Sequence, residues 1–185
     1  MPPARLNLTY DGHRYDLVQI FLHWAISLLL VAAIVDIWIA NSLERGELRT
    51  TLFFLHRSFG TTIFALTLVR LGWRLTHAVP PPPASVPVWQ QQAGAATHWL
   101  LYALVLVMPI TGYLSSALLG HPVTYFFLFD LPALPEMKPA AKSLGRIHEL
   151  LQWAVYAIVA LHAAAAFRHH FVLGDGLIRR MLPVR

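Results

Sequence analysis

Cysteine is absent from the 185 residues. Its absence excludes disulfides, thiolate metal sites, iron–sulfur ligation and covalent haem attachment through C-x-x-C-H. Charge is also scarce: Asp, Glu, Lys and Arg make up 12% of the chain, against about a quarter in a soluble domain. The formal net charge is +5, yet no basic helix and no basic patch interleaved with aromatics is present, so a nucleic-acid partner is not expected. No internal repeat and no composition break marks a second unit, and a single domain over 1–185 is expected.

Apolar residues and histidine fill the space. The chain is 57% hydrophobic with ten histidines and a mean hydropathy of +0.55. Four apolar runs, about 17–40, 53–73, 98–119 and 144–172, each meet the roughly 20 residues needed to cross a bilayer. The first is too long for a cleavable signal peptide and is expected to stay as an anchor. The fold predicted is an all-α integral membrane four-helix bundle in contact with lipid. Residues 41–52 read as a short polar turn, so spans one and two are antiparallel neighbours. The "PPPP" at 80–83 reads as a stiff extended connector. The loop 120–142, with Pro122, Pro132, Pro135, Pro139 and "YFFLF" at 125–129, is expected to lie along the membrane surface.

Eight basic residues fall on the side of the termini (Arg5, Arg14, Arg70, Arg74, Arg168, Arg179, Arg180, Arg185). Six fall opposite (Arg45, Arg49, Arg57, Lys138, Lys142, Arg146). Three acidic residues lie on the terminal side and six opposite. The balance predicts both termini in the cytoplasm and the chain in the bacterial inner membrane.

The stretch "HELLQWAVYAIVALH" at 148–162 places a histidine at each end of an apolar helix. Fourteen residues are roughly 21 Å of helix and stop about 40° short of four full turns, so His148 and His162 share a face at two depths. His23, six residues into span one, matches His162 in depth, and His56, early in the descending span two, matches His148. Polar groups in hydrocarbon are costly and usually functional. Two facing imidazoles can fill both axial positions of a haem iron, so the pattern predicts two non-covalent haem b groups, one held by His23 and His162 and one by His56 and His148. Zinc would be short of ligands at either pair. His98, near the inner end of span three, competes with His23 for the inner position. Gly60, one turn from His56, and "HAAAA" at 162–166 leave room for a flat macrocycle, or equally for close helix packing.

The remaining histidines carry less. His13 precedes the first span, His77 sits beside the proline connector and His121 lies in the outer loop. His169 and His170, with Arg168 beside them, either sit at the interface and complement a helix C-terminus or offer a quinone site, since imidazole titrates near neutral pH. Arg57, Lys142 and Arg146 cluster near the outer histidines. They would concentrate a small anion, pair with haem propionates, or pair with Glu44, Glu47, Glu136 or Glu149.

"LVQIFLHWAISLLLVAAI", "LHRSFGTTIFALTLVRLGWR", "RIHELLQWAVYAIVALHAAAAFRHHFV" and the closing "GLIRRMLPVR" together resemble the bacterial cytochrome b561 family over about 17–183. Similar chains serve as cytochrome b subunits of hydrogenases, and single-chain members of this length look like superoxide oxidases. The resemblance implies the same haem pairs, His169 beside a quinone site, superoxide as donor on the periplasmic side and ubiquinone as acceptor. It does not extend to the loop 120–142, so no donor-contacting residue is carried over. The competing readings are a membrane anchor and relay that takes electrons from a soluble partner subunit, and a haem-free scaffold.

Overall fold

The computed structural model describes residues 14–82, 86–120 and 122–182. His13, His121, Pro83, Arg5 and Arg185 lie outside them. Four long helices are present: α1 Leu17–Ser42, α2 Glu47–Thr76, α3 Val88–Ala117 and α4 Lys138–Phe167. All four are long and apolar enough to cross a membrane. A π-helical turn, Arg168–Leu173, continues α4, and a 3₁₀ turn spans Leu177–Met181.

The helices overrun the apolar stretches. α3 begins at Val88 rather than near 98, because the glutamines at 90–92 and the alanines at 93, 95 and 96 favour helix although the stretch is not strongly apolar. At 1.5 Å per residue, thirty residues make about 45 Å, against roughly 30 Å of hydrocarbon. The excess stands in the interfacial layer or is taken up by tilt. The turn between α1 and α2 shrinks correspondingly to residues 43–46.

α1 packs mainly on α2, and α3 on α4, with α2 against α3 closing the layer. Ile26, Ala33, Ile63 and Val105 form the shared core, with Leu29, Leu30, Phe59 and Leu66 around it. α4 contributes little to that core: Ala141 and Val155 are its buried residues. α1 and α4 scarcely approach one another, which leaves a slot between them. Trp38 of α1 donates its indole N–H to the Tyr156 hydroxyl of α4 at 3.0 Å across that slot.

The connection after α3 holds a small two-stranded antiparallel sheet, β1 Val123–Tyr125 and β2 Phe129–Leu131. The fold is otherwise the expected four-helix bundle, with this hairpin as an addition in the α3–α4 connection. Phe126 and Phe127 form the turn at φ 42° and 60°, a left-handed conformation costing a side-chain-bearing residue roughly 1–2 kcal/mol. Tertiary contacts hold it in place. Ser58 Oγ accepts from Phe126 N–H at 3.1 Å, Phe127 stacks on Phe54, and the Tyr125 hydroxyl bonds Thr62 at 3.1 Å. The hairpin is therefore docked on α2 beside His56 rather than merely spread over the surface.

At the opposite end Asp16 caps α1, accepting from Gln19 N–H at 2.9 Å. It also accepts from the Trp73 indole at 3.1 and 3.2 Å, which ties the start of α1 to the end of α2. Burial pushes the Asp16 carboxyl up, but the bonds from Gln19 and Trp73 outweigh it and hold the pKa below its ordinary value. Asp16→Ala is expected to cost about 1 kcal/mol, as for other caps. A depressed folded-state pKa contributes stability above the unfolded pKa and loses it as pH falls through the folded one. The melting-temperature gap between wild type and variant should therefore be full at neutral pH and close in acid below the carboxylate range. A gap independent of pH would show that Asp16 does not act through its charge.

Candidate functional site

His56 on α2 and His148 on α4 face each other with ring centroids 6.2 Å apart. His23 on α1 and His162 on α4 do so at 6.3 Å. A metal–imidazole bond of about 2 Å, with the ligating nitrogen about 1.1 Å from the ring centre, puts two rings on opposite sides of one metal roughly 6 Å apart. Both pairs meet that spacing. His98 lies closer to His162, at 5.3 Å, short of the separation that two axial imidazoles require. His23 and His98 thus both reach His162, at different ring spacings. Among the described residues no group of three or more His, Asp or Glu is gathered as a metal-ion cage.

The His56–His148 pair is held by all four helices. His56 Nδ1 bonds the Ala33 carbonyl of α1 at 3.0 Å. His148 Nδ1 bonds the Met108 carbonyl of α3 at 2.9 Å and lies 3.2 Å from Thr111 Oγ1. A carbonyl only accepts, so in both rings Nδ1 carries the proton and Nε2 keeps its lone pair. This is the support that orients metal-ligating histidines. Gly112 makes the approach possible: a Cβ there would stand 3.0 Å from His148 Cε1 and 3.2 Å from Nδ1.

Both rings open into a cavity of about 660 Å³, within the range of roughly 300–1,000 Å³ that holds compact organic ligands. Leu30, Ile63 and Val105 supply apolar wall, and Gly60 lines it as well; a Cβ at Gly60 would meet nothing within 4 Å. Arg57 and Arg146 reach the rim, and Val123 brings the hairpin to it. The donor set, the spacing and the apolar volume fit a flat macrocycle bound through two imidazoles.

The cluster near Arg146 divides. Arg146 pairs with Glu149 at 3.5 Å and Lys138 with Glu136 at 3.0 Å, all exposed, where such pairs contribute little. Lys142 is exposed away from the cavity. Arg57 makes no ion pair among the described residues.

The His23–His162 pair is built differently. His23 Nδ1 is buried without a hydrogen-bond partner. Arg70 and Arg74 of α2 lie over aromatic rings of α3, Arg70 5.6 Å from the Tyr102 ring and Arg74 5.7 Å from the Trp99 ring. Neither meets a carboxylate among the described residues.

Beyond His162 the π-turn rotates α4. Gly174, at φ 67°, ends it with its N–H on the His169 carbonyl. The chain then turns back so that Asp175 bonds His169 Nδ1 at 2.5 Å, while its other oxygen accepts from Leu177 N–H at 3.1 Å. His170 Nδ1 is buried without a partner. Arg168 remains exposed and is not gathered with His169. The closing turn is clamped under the bundle, with the Trp24 indole donating to the Met181 carbonyl at 2.7 Å and Arg180 to the Pro81 carbonyl at 2.6 Å.

Sequence reasoning missed Thr111, Gly112, the Met108 and Ala33 carbonyls, and Asp175. Of these only Asp175 carried a signal, an acidic residue between two glycines just past a histidine pair.

Residues 14–184 match the profile of prokaryotic cytochrome b561. The chain is 28% identical over 182 residues to cytochrome b561 homolog 2 of Escherichia coli, covering 96% of this chain and 95% of that one. It is 30% identical over 173 residues to a probable superoxide oxidase, CybB, of Yersinia pestis, covering 92% and 96%. Cytochrome b561 homolog 1 of E. coli is 27% identical over 179 residues, covering 94% and 99%.

Proposed function

The chain belongs to the prokaryotic cytochrome b561 family, haem b electron-transfer proteins of the bacterial inner membrane, and from that premise we propose that it is a di-haem superoxide:ubiquinone oxidoreductase. The observation that carries the two-haem part is the pair of imidazole spacings, 6.2 and 6.3 Å. The relative named a probable superoxide oxidase supports the choice of donor.

In this reading residues 1–185 form one transmembrane domain with both termini cytoplasmic. His56 and His148 hold the haem b nearer the periplasm, and His23 and His162 the one nearer the cytoplasm. Haem b supplies one-electron chemistry at iron; the chain supplies ligation, charge and access. Arg57, lining the cavity without a carboxylate partner among the described residues, attracts the superoxide anion or holds a propionate. Two superoxide anions give up one electron each and leave as dioxygen. The quinone accepts both electrons and two protons to become quinol. His169, held by Asp175, stands about two helical turns past His162 and can hydrogen-bond a quinone carbonyl and hand on a proton.

The test uses the purified protein in detergent, with haem b counted by the pyridine haemochrome method. Superoxide is generated enzymatically while the α-band is followed. Two haems per chain, rapid reduction abolished by superoxide dismutase, and re-oxidation by ubiquinone are expected. If dithionite alone reduces the haems, the donor assignment is wrong and the relay for a soluble partner takes its place.

A further inference from the structure

A ring as large as a porphyrin reaches the cavity between His56 and His148 only through a seam of the bundle. Three seams are packed: α1 on α2, α2 on α3 and α3 on α4. The hairpin rests against α2 and α3 and covers the cavity there with the buried Val123. The fourth seam is the slot between α1 and α4. Its walls are also walls of the cavity, Ile34 and Ile37 on α1 and Gln152 and Tyr156 on α4. The slot therefore joins the cavity to the lipid around the bundle.

Between α1 and α4 one hydrogen bond is made among the described residues, from the Trp38 indole to the Tyr156 hydroxyl at 3.0 Å. The two rings meet edge to face, with centroids 5.8 Å apart, and the hydroxyl faces Gln152 Oε1 at 3.5 Å. Trp38 lies fifteen residues past His23 and Tyr156 six residues before His162, so their backbones are staggered along the bundle by about 13 Å. Long side chains lean toward the N-terminus of their helix. On two antiparallel helices that brings these two toward each other across the gap. Trp38 remains 59% exposed, which puts the bond at the mouth of the slot.

We propose that the α1–α4 slot is the lateral portal through which haem enters and leaves the His56–His148 site, and that the Trp38–Tyr156 hydrogen bond is its latch. The proposal rests on the reading that this pair ligates a haem. A porphyrin is an apolar plane with two carboxylates, so it dissolves in a bilayer with its ring in the hydrocarbon and its carboxylates toward the headgroups. A seam open to lipid admits that ring without carrying it through water. An indole N–H and a phenol facing hydrocarbon have no water to turn to, which keeps the latch closed at rest. One such bond biases an opening equilibrium by only roughly two- to tenfold, so it yields when a ring has to pass.

The test follows haem transfer from the full-length holoprotein in detergent to an excess of a high-affinity apomyoglobin, after the haem content has been counted. Tyr156→Phe keeps the ring and removes the acceptor, and should speed one of two transfer phases about fivefold. That phase should be missing from His148→Ala. Trp38→Phe should speed it likewise, and the double variant should be no faster than either single one, because both remove one shared bond. Trp153→Phe is the control. Its ring packs on Tyr156 at 5.7 Å but donates no hydrogen bond among the described residues, and transfer should keep the wild-type rate. The chain has no cysteine, so Trp38→Cys with Tyr156→Cys can be bridged by a short bismaleimide, which should halt the same phase. Wild-type rates in both latch variants overturn the portal. So does an accelerated phase that persists in His148→Ala, equal acceleration by Trp153→Phe, or transfer that continues across a completed bridge. A wild-type preparation with fewer than two haems overturns the two-haem reading itself, and the portal with it.

Discussion

If each histidine pair holds one haem b, as proposed, replacing His148 by alanine is expected to lower the haem content from two per chain to one. Among the described residues His56 is then the one imidazole left lining that cavity, since its partner at 6.2 Å is gone, and one of the two nitrogen ligands proposed for that haem is lost. His162→Ala should also leave one haem, but the other one. The two variants part functionally. With His162→Ala, superoxide should still reduce the remaining haem, while ubiquinone reduction falls to background. With His148→Ala, dithionite should reduce the remaining haem and superoxide should not. His98→Ala is the control: its ring lies 5.3 Å from His162, and the variant should keep two haems. Loss of a haem on His98→Ala, or two haems retained on His148→Ala, would break the assignment of ligands.

The pairing was legible from sequence because it rests on helix geometry alone. Fourteen residues of one helix and two depths counted from span ends are enough to join His23 with His162 and His56 with His148. That count tolerates the errors made at span ends, such as the ten residues at the start of α3. Hydropathy sees the part of a helix that meets hydrocarbon, and the glutamines at 90–92 belong to the part that does not.

What depth could not do was choose between His23 and His98, which reach His162 from different helices at one level. They differ in ring spacing, 6.3 Å for His23 and 5.3 Å for His98, and the proposed ligation rests on that difference. The hairpin was illegible for a different reason. A tight turn with two positive φ angles favours Asn and Gly, and Phe126 and Phe127 are poor candidates until Ser58 and Phe54 are brought against them. Gly112 and Thr111 were hidden likewise, since a glycine in an apolar helix reads as helix packing until His148 is found 3.0 Å from its missing Cβ.

Asp175 illustrates the same limit and carries the second large effect. Its carboxylate bonds His169 Nδ1 and also accepts from Leu177 N–H, so the ring and the returning chain are fixed by one side chain. If His169 serves the quinone, fixing Nδ1 turns Nε2 to the acceptor. Positioned proton transfer contributes roughly 10²- to 10⁴-fold. His169→Ala should therefore slow haem re-oxidation by ubiquinone about a hundredfold. Asp175→Asn, nearly isosteric but uncharged, should slow it by about tenfold, because the carboxylate oxygen that faces Nδ1 becomes interchangeable with an amide donor. A general loosening of the fold would lower haem content and slow superoxide-driven reduction too. The expected result is selective, with two haems retained, reduction unchanged and only re-oxidation slowed. Unchanged re-oxidation in both variants would move the quinone site away from the end of α4.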